Sequence, residues 1–240
     1  MANNPNMPPL RLDRSLLPAA ALLVLVFGLF ELTWLDLWIQ DRFFDFSAGT
    51  WMIDRNEPVA RALFYSGPKV LLVGLSLALI ASLVRPPRSF RRCDLGVALL
   101  TLGSVPVLVG LGKDTTNVFC PWDITRYGGD AAYVRVLERF GEDERPARRG
   151  RGFPAGHASG GFALVGLAGL ARTRRGQVAA IALAAAAGGA MGWYQIAKGA
   201  HYLSHTLVTA LLAWILFLIN RRLLRARLPE DSATLHVPIP

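Results

Sequence analysis

The chain has 240 residues, 52% of them hydrophobic, and a mean hydropathy of +0.35. That is too apolar for an ordinary water-soluble domain and points to a membrane protein. A net charge of +9 would suit a nucleic-acid binder, but the basic residues fall between long apolar runs, where cytoplasmic loops and anionic headgroups account for them, so no nucleic-acid partner is expected.

Residues 1–15 carry Arg11 and Arg14 and read as a cytoplasmic N-terminus. The apolar run behind them continues past Glu31 to Trp38 without a small-residue cleavage site, so it reads as a retained membrane helix rather than a signal peptide. A hydrocarbon core ~30 Å thick takes about 17 to 25 apolar residues per helix. Six stretches approach this: Leu16–Leu35, Pro68–Val84, Asp94–Gly112, Gly156–Arg172, Val178–Ala197 and Leu203–Ile219. The expected fold is therefore all-α and polytopic, with one six-helix membrane domain over 16–225 and a disordered tail over 226–240. The fourth stretch has the least apolar content, and its Gly and Ala residues, like those of "AAIALAAAAGGAMG" in the fifth, allow close helix approach.

Short basic loops set the orientation. Arg85, Arg88, Arg91 and Arg92 separate the second stretch from the third, and Arg172, Arg174 and Arg175 separate the fourth from the fifth. Arg221, Arg222, Arg225 and Arg227 follow the sixth, so the positive-inside rule puts both termini in the cytoplasm. The connections 36–67 and 113–155 are then external. The first, with Asp36, Asp41, Asp45, Asp54 and Glu57, reads as a short interfacial segment; the second, with "RYGGD" and "RGRGFPAGH", reads as an ordered functional loop. Cys93 and Cys120 bracket one apolar run, roughly 40 Å apart along a helix, and cannot bond to each other.

On this topology one external face collects Lys113, Arg126, His157, Lys198, His201 and His205. Ionisable groups at membrane depth mark function, and a cationic, histidine-rich set suits an anionic substrate and proton transfer. Pro154 fits a first helical turn, after which Ala155, Gly156 and His157 would present backbone N–H groups to an anion. Taken alone, His157, His201 and His205 also have the form of a zinc site, but Lys113 and Lys198 beside them would repel a cation, so neither metal nor other cofactor is expected. Trp122, Trp193, Tyr194 and Tyr202 read as interface-belt aromatics.

The order and spacing of these residues resemble the type 2 phosphatidic acid phosphatase (PAP2) superfamily, whose motifs read K-x6-R-P, P-S-G-H and S-R-x5-H-x3-D on a six-helix membrane fold. Lys113 with Cys120-Pro121 stands at the first, Pro154-Ala155-Gly156-His157 at the second, and His201 with His205 at the third. The resemblance implies a PAP2-like bundle in which His201 attacks phosphorus to form a phosphohistidine and His157 protonates the leaving group. Four positions depart from the motifs: Cys120 and Gln195 stand for arginines, Ala155 for serine, and His205 for the aspartate that orients the nucleophile. Arg126 and Lys198 are the candidates to replace the arginines, with Arg149 or Arg151 in reserve. His205, four residues from His201, could fix its tautomer, and Asp123 could supply the carboxylate. The expected activity is hydrolysis of a lipid phosphate or diphosphate at the outer face of a bacterial inner membrane. Transfer of the phosphoryl group to another lipid, or non-catalytic headgroup binding, are the alternatives.

Overall fold

A computed structural model describes residues 13–141 and 146–227. Among these, eight α-helices account for most of the chain: α1 (Asp13–Leu32), α2 (Leu35–Gln40), α3 (Pro58–Arg61), α4 (Gly67–Val84), α5 (Arg92–Thr115), α6 (Gly156–Ala163), α7 (Arg174–Ala197) and α8 (Leu203–Arg227). A π-helical turn, Ala62–Ser66, joins α3 to α4. Among the described residues, five helical spans are long and apolar enough to cross a membrane: Ser15–Leu32, Pro58–Val84, Arg92–Thr115, Arg174–Ala197 and Leu203–Ala226. Residues 1–12 and 228–240, which hold nearly all of the expected N-terminus and tail, lie outside the described residues.

The fourth expected span differs. Over Gly156–Arg172 the chain forms only the eight residues of α6 and a 3-10 segment, Leu164–Gly169. Its glycines lower helix propensity, and the segment is sunk among α5, α7 and α8, where most of its residues are buried. An element enclosed by protein needs no lipid-facing band of its own.

Packing follows residue size. Gly161 meets the backbone of Gly188 on α7, and a Cβ at Gly161 would lie 2.6 Å from Gly188 N. Gly188 in turn lies beneath the Phe162 ring, and Gly192, one turn on, faces Thr206 of α8. The Gly-x-x-x-Gly face of α7 therefore serves two neighbours, in the way small residues bring membrane helices together. In the centre of the bundle, Asn220 Nδ2 on α8 donates to Thr101 Oγ1 and Ser104 Oγ on α5, at 3.3 and 3.1 Å. By contrast α1 and α4 turn Leu17, Val24, Leu25, Val70, Leu71 and Leu77 outward, each more than 60% exposed. Contiguous apolar faces of that kind call for lipid rather than water.

The connection 36–67 is not a simple interfacial segment. It holds α2, a hairpin pairing Phe44–Asp45 with Thr50–Trp51, and α3. It is sewn to the end of α7: Gln40 Nε2 donates to the Ile196 carbonyl at 2.9 Å and Ile53 N to that of Ala197 at 3.2 Å.

Because neither backbone can yield where α6 crosses α7, Gly161→Ala should destabilise the protein by about 1–3 kcal/mol. Gly189→Ala, whose Cβ would meet nothing within 4 Å, should be neutral or stabilising. Melting of the two variants in detergent checks this pair of outcomes.

Candidate active site

The turn between α7 and α8 aims the first imidazole. Gly199 adopts φ +76°, a left-handed conformation favoured by glycine after a helix end, and its N–H bonds the Ile196 carbonyl at 3.0 Å. Ala200 N and His201 N both return to the Gln195 carbonyl, at 2.8 and 3.3 Å. This closes the turn and leaves His201 just ahead of α8, 2% exposed. Burial, reinforced by Lys113 and the neighbouring histidines, holds its imidazole well below the ordinary histidine value. The neutral ring is the resting form.

His205 lies on the first turn of α8, its ring 5.7 Å from that of His201 and edge-on to it. Phe153 and Tyr202 enclose it, each with its ring centroid 5.2 Å away. Nδ1 of both histidines lacks a hydrogen-bond partner, so no His–His hydrogen bond through those atoms orients His201. Instead the Gly152 carbonyl lies against both rings. The start of α8 is itself held from a distance of 168 residues: Asp36 Oδ1 accepts from Ser204 N at 3.0 Å, and Ser204 Oγ donates to Asp36 Oδ2. Asp36 is 5% exposed, and burial pushes its carboxyl up to about 6 against the hydrogen bonds that favour the anion.

α6 brings the third imidazole. Its N-terminus has no side-chain cap, and the preceding Ala155 N is taken by Thr209 Oγ1 of α8 at 3.0 Å. The loop before it is pinned to the segment after α5: Thr116 Oγ1 donates to the Phe153 carbonyl at 2.7 Å, and Gly150 N to Asn117 Oδ1 at 2.8 Å. His157 thus stands with its ring 6.0 Å from that of His201. Lys113 crosses the start of α6 so closely that a Cβ on Gly156 would lie 2.8 Å from its Cε. Its Nζ donates to the Arg151 carbonyl at 3.0 Å.

Further cations gather beside His157. The Tyr65 ring, from the π turn, lies 4.7 Å from the His157 ring. Lys69 Nζ is 4.1 Å, Arg61 Cζ 5.8 Å and Lys198 Nζ 5.9 Å from the Tyr65 centroid. Lys198, 8% exposed, also sits 4.4 Å from the Tyr194 ring, and burial with the Arg61 charge holds its amine below the usual lysine value. Arg61, Tyr65 and Lys69 escaped the sequence reading, because Lys69 opens an apolar run and resembles an anchor there.

Other expected residues are engaged elsewhere. Arg126 donates through Nε and Nη2 to Asp41, at 2.8 and 2.7 Å, and this pairing raises its already high value. Asp123 pairs with Arg148 at 2.9 Å and accepts from Cys120 N at 3.3 Å. Arg151 pairs with Asp114 at 2.7 Å, and Arg149 Nη2 donates to the Thr115 carbonyl at 3.0 Å. Both cysteines are free, and burial pushes the Cys120 thiol up to about 12, which leaves it protonated at neutral pH. Tyr194 and Tyr202, expected at the interface, are fully buried because they pack under Lys198 and against His205. Gln195 is wholly buried with neither carboxamide atom partnered.

Three histidines, four cations and an uncapped helix start thus converge at one end of the bundle, and of the four cations only Lys113 belongs to a motif. The PAP2 superfamily model matches residues 94–228, more than half of the chain. The chain belongs to the PAP2 superfamily. Neither a curated protein nor a solved structure matches it. The PAP2 match begins in α5 and takes in Lys113, His157, His201 and His205, while Asp36, Arg61, Tyr65 and Lys69 come from the elements before it.

Asp36 provides a pH test of the α2–α8 clamp. It binds its proton more tightly in the folded than in the unfolded chain, so its ionisation as pH rises from about 4 through 6 lowers stability, by about 3 kcal/mol in full. Asp36→Asn keeps an oxygen for Ser204 N and cannot ionise. Relative to the parent it should therefore gain stability steadily between pH 4 and 7, read as a widening difference in Tm that cancels the histidines' own titration.

Proposed function

We propose that the protein is a membrane phosphatase that hydrolyses a lipid phosphate or diphosphate through a phosphohistidine at His201. PAP2 membership supports phosphatase chemistry in general. The observation that carries the finer reading is the approach of the buried His201 ring and the half-buried His157 ring to 6.0 Å among cations. That spacing lets one ring attack phosphorus while the other faces the leaving oxygen on the opposite side.

His201 is neutral at rest, and a Gly152 carbonyl taking one ring N–H leaves the second nitrogen with a lone pair for phosphorus. As the N–P bond forms, the bond to the leaving oxygen breaks; burial and the charges of Lys113, Lys198 and Lys69 hold His157 down to about 4 in the empty site, so it takes up a proton when the phosphate's negative charge arrives beside it and passes that proton to the leaving oxygen. Water then attacks the phosphohistidine with His157 as base, breaking the P–N bond and releasing orthophosphate. Lys113, Lys198 and the open first turn of α6 offset phosphoryl charge, which is where most catalysis of phosphoryl transfer arises.

A lipid substrate is supported by an apolar groove between α4, α5 and α6, lined by Leu72, Leu77, Leu102, Pro106 and Gly160. It starts one helical turn below Lys69 and His157, so a phosphate held at the imidazoles can leave its tail in the groove. With both termini cytoplasmic by the distribution of arginines, this end of the bundle faces outward from a bacterial inner membrane.

His201→Ala should lower phosphate release from lipid phosphates at least about a thousandfold, and His157→Ala by about a hundredfold to ten-thousandfold. Substrate labelled in the terminal phosphate should give an acid-labile phosphoprotein in the parent and none in His201→Ala. Undiminished turnover by that variant refutes the role of His201; label appearing on an acceptor lipid instead of in orthophosphate converts the hydrolase into a transferase.

A further inference from the structure

The π-helical turn Ala62–Ser66 interrupts the span Pro58–Val84 beside His157. Arg61, Tyr65 and Lys69 follow one another at four-residue steps, which on a helix of about 3.6 residues per turn drift steadily around the axis. The wider turn between them takes up part of that drift, and both cations lie over one ring: Arg61 Cζ is 5.8 Å and Lys69 Nζ 4.1 Å from the Tyr65 centroid. Gly67 closes the turn through its N–H to the Ala62 carbonyl, and a Cβ there would lie 2.7 Å from that oxygen.

The two aromatic residues of the turn serve different neighbours. Phe64 stacks on Tyr194 of α7, with centroids 5.4 Å apart and planes 20° from parallel, while the Tyr65 ring lies 4.7 Å from that of His157. Lys198 reaches both, 4.4 Å from the Tyr194 ring and 5.9 Å from that of Tyr65. None of Arg61, Lys69 and Lys198 forms an ion pair among the described residues, and the nearby Glu57 carboxylate is committed to Val59 N and Ala60 N. Arg61 and Lys69 are exposed, so packing does not confine their charged ends. Like charges repel, and the attraction that offsets this is the one each feels for the face of the ring.

Resting on the phosphatase reading, we infer that Tyr65 is a positioning residue for the proposed acid: its ring holds Arg61, Lys69 and Lys198 together as one cationic wall beside His157. The ring face does this and the hydroxyl does not, so phenylalanine can take its place and leucine cannot.

The wall decides when His157 carries a proton. Lys69 of α4 and Lys198 after α7 act on this imidazole directly, Arg61 acts through Lys198, and Lys113 of α5 adds its charge from the other side. The remaining titratable neighbours are Tyr65 itself and the neutral His201 ring. Among the described residues no carboxylate acts on His157, so these cations and burial together keep the proton off it until an anion binds. A phosphate brings negative charge that offsets the wall, and the imidazole then takes its proton from solvent. The acid is armed by the substrate. A neutral lipid in the groove brings no charge and leaves it unarmed. Arg61, Tyr65 and Lys69 all precede the span that matches the PAP2 superfamily, so the control comes from this chain's N-terminal third.

The test is an NMR titration of the histidines of the full-length protein in detergent micelles, with the His157 signal assigned by its loss in His157→Ala. In the parent its midpoint should lie well below the ordinary histidine value and rise on addition of sulfate, a dianion that holds no proton near neutral pH. Without sulfate, Lys69→Gln and Tyr65→Leu should each raise the midpoint by about 0.5–1 pH unit, and Tyr65→Phe should leave it in place. Phosphate release should follow the same order, with about a tenfold loss of kcat/KM in Tyr65→Leu and little in Tyr65→Phe. A midpoint unmoved by both Lys69→Gln and Tyr65→Leu, one moved as far by Tyr65→Phe, or one indifferent to sulfate in the parent overturns the inference and leaves the phosphatase reading intact. Turnover lost in Tyr65→Leu with an unchanged midpoint marks packing alone and overturns it too. A parent that releases phosphate from no lipid phosphate overturns the phosphatase reading, while the titration still decides whether Tyr65 holds the wall.

Discussion

The contact between α6 and α7 is the constraint from which the rest of the site follows. With a backbone-to-backbone approach at Gly161 and Gly188, α6 sinks into the bundle instead of lying against its lipid-facing side. Its first residues then come level with the turn that follows α7, and His157 reaches His201. Larger residues at either glycine would hold the helices apart by the width of a side chain. The imidazoles of His157 and His201 would then lie farther apart than 6.0 Å.

Around that contact the protein accumulates charge it does not balance. Lys69, Lys198 and Arg61 face the Tyr65 ring and Lys113 donates to a backbone carbonyl, while Arg126, Arg148 and Arg151 all have acidic partners. The division is spatial. Loop arginines hold the loops together, whereas the cations nearer the imidazoles form no ion pair among the described residues. A site of this kind is strained electrostatically when empty and relieved when filled, which favours tightly charged ligands over neutral ones.

Much of this was legible in the residues. Hydropathy marked the five long spans, and Lys113, His157 and His201 stood out as ionisable groups at the ends of apolar runs. The shortness of α6 was visible only as an excess of glycine, since a buried helix and a spanning one share their composition. The roles of Asp36 and Lys69 could not be read, because Asp36 holds Ser204 and Lys69 acts on His157, each far along the chain, and neither leaves a local pattern. Arg126 misled for a related reason: its charge was plain from the sequence, its bond to Asp41 was not. Tyr194 and Tyr202 carried the composition of a membrane border, yet tertiary packing put them in the interior.

The clamp between Asp36 and Ser204 joins the second helix of the chain to the last. Gln40 and Ile53 hold the end of α7 from the same N-terminal stretch. Membrane helices enter the bilayer in the order of their synthesis, so until α8 arrives Asp36 has no Ser204 to hold, and the imidazoles have no common frame. The stretch that matches the PAP2 model is for that reason held in part by residues that precede it. A chain cut short ahead of α8 lacks Ser204 and His205, and leaves Asp36 without the N–H and hydroxyl that it accepts from.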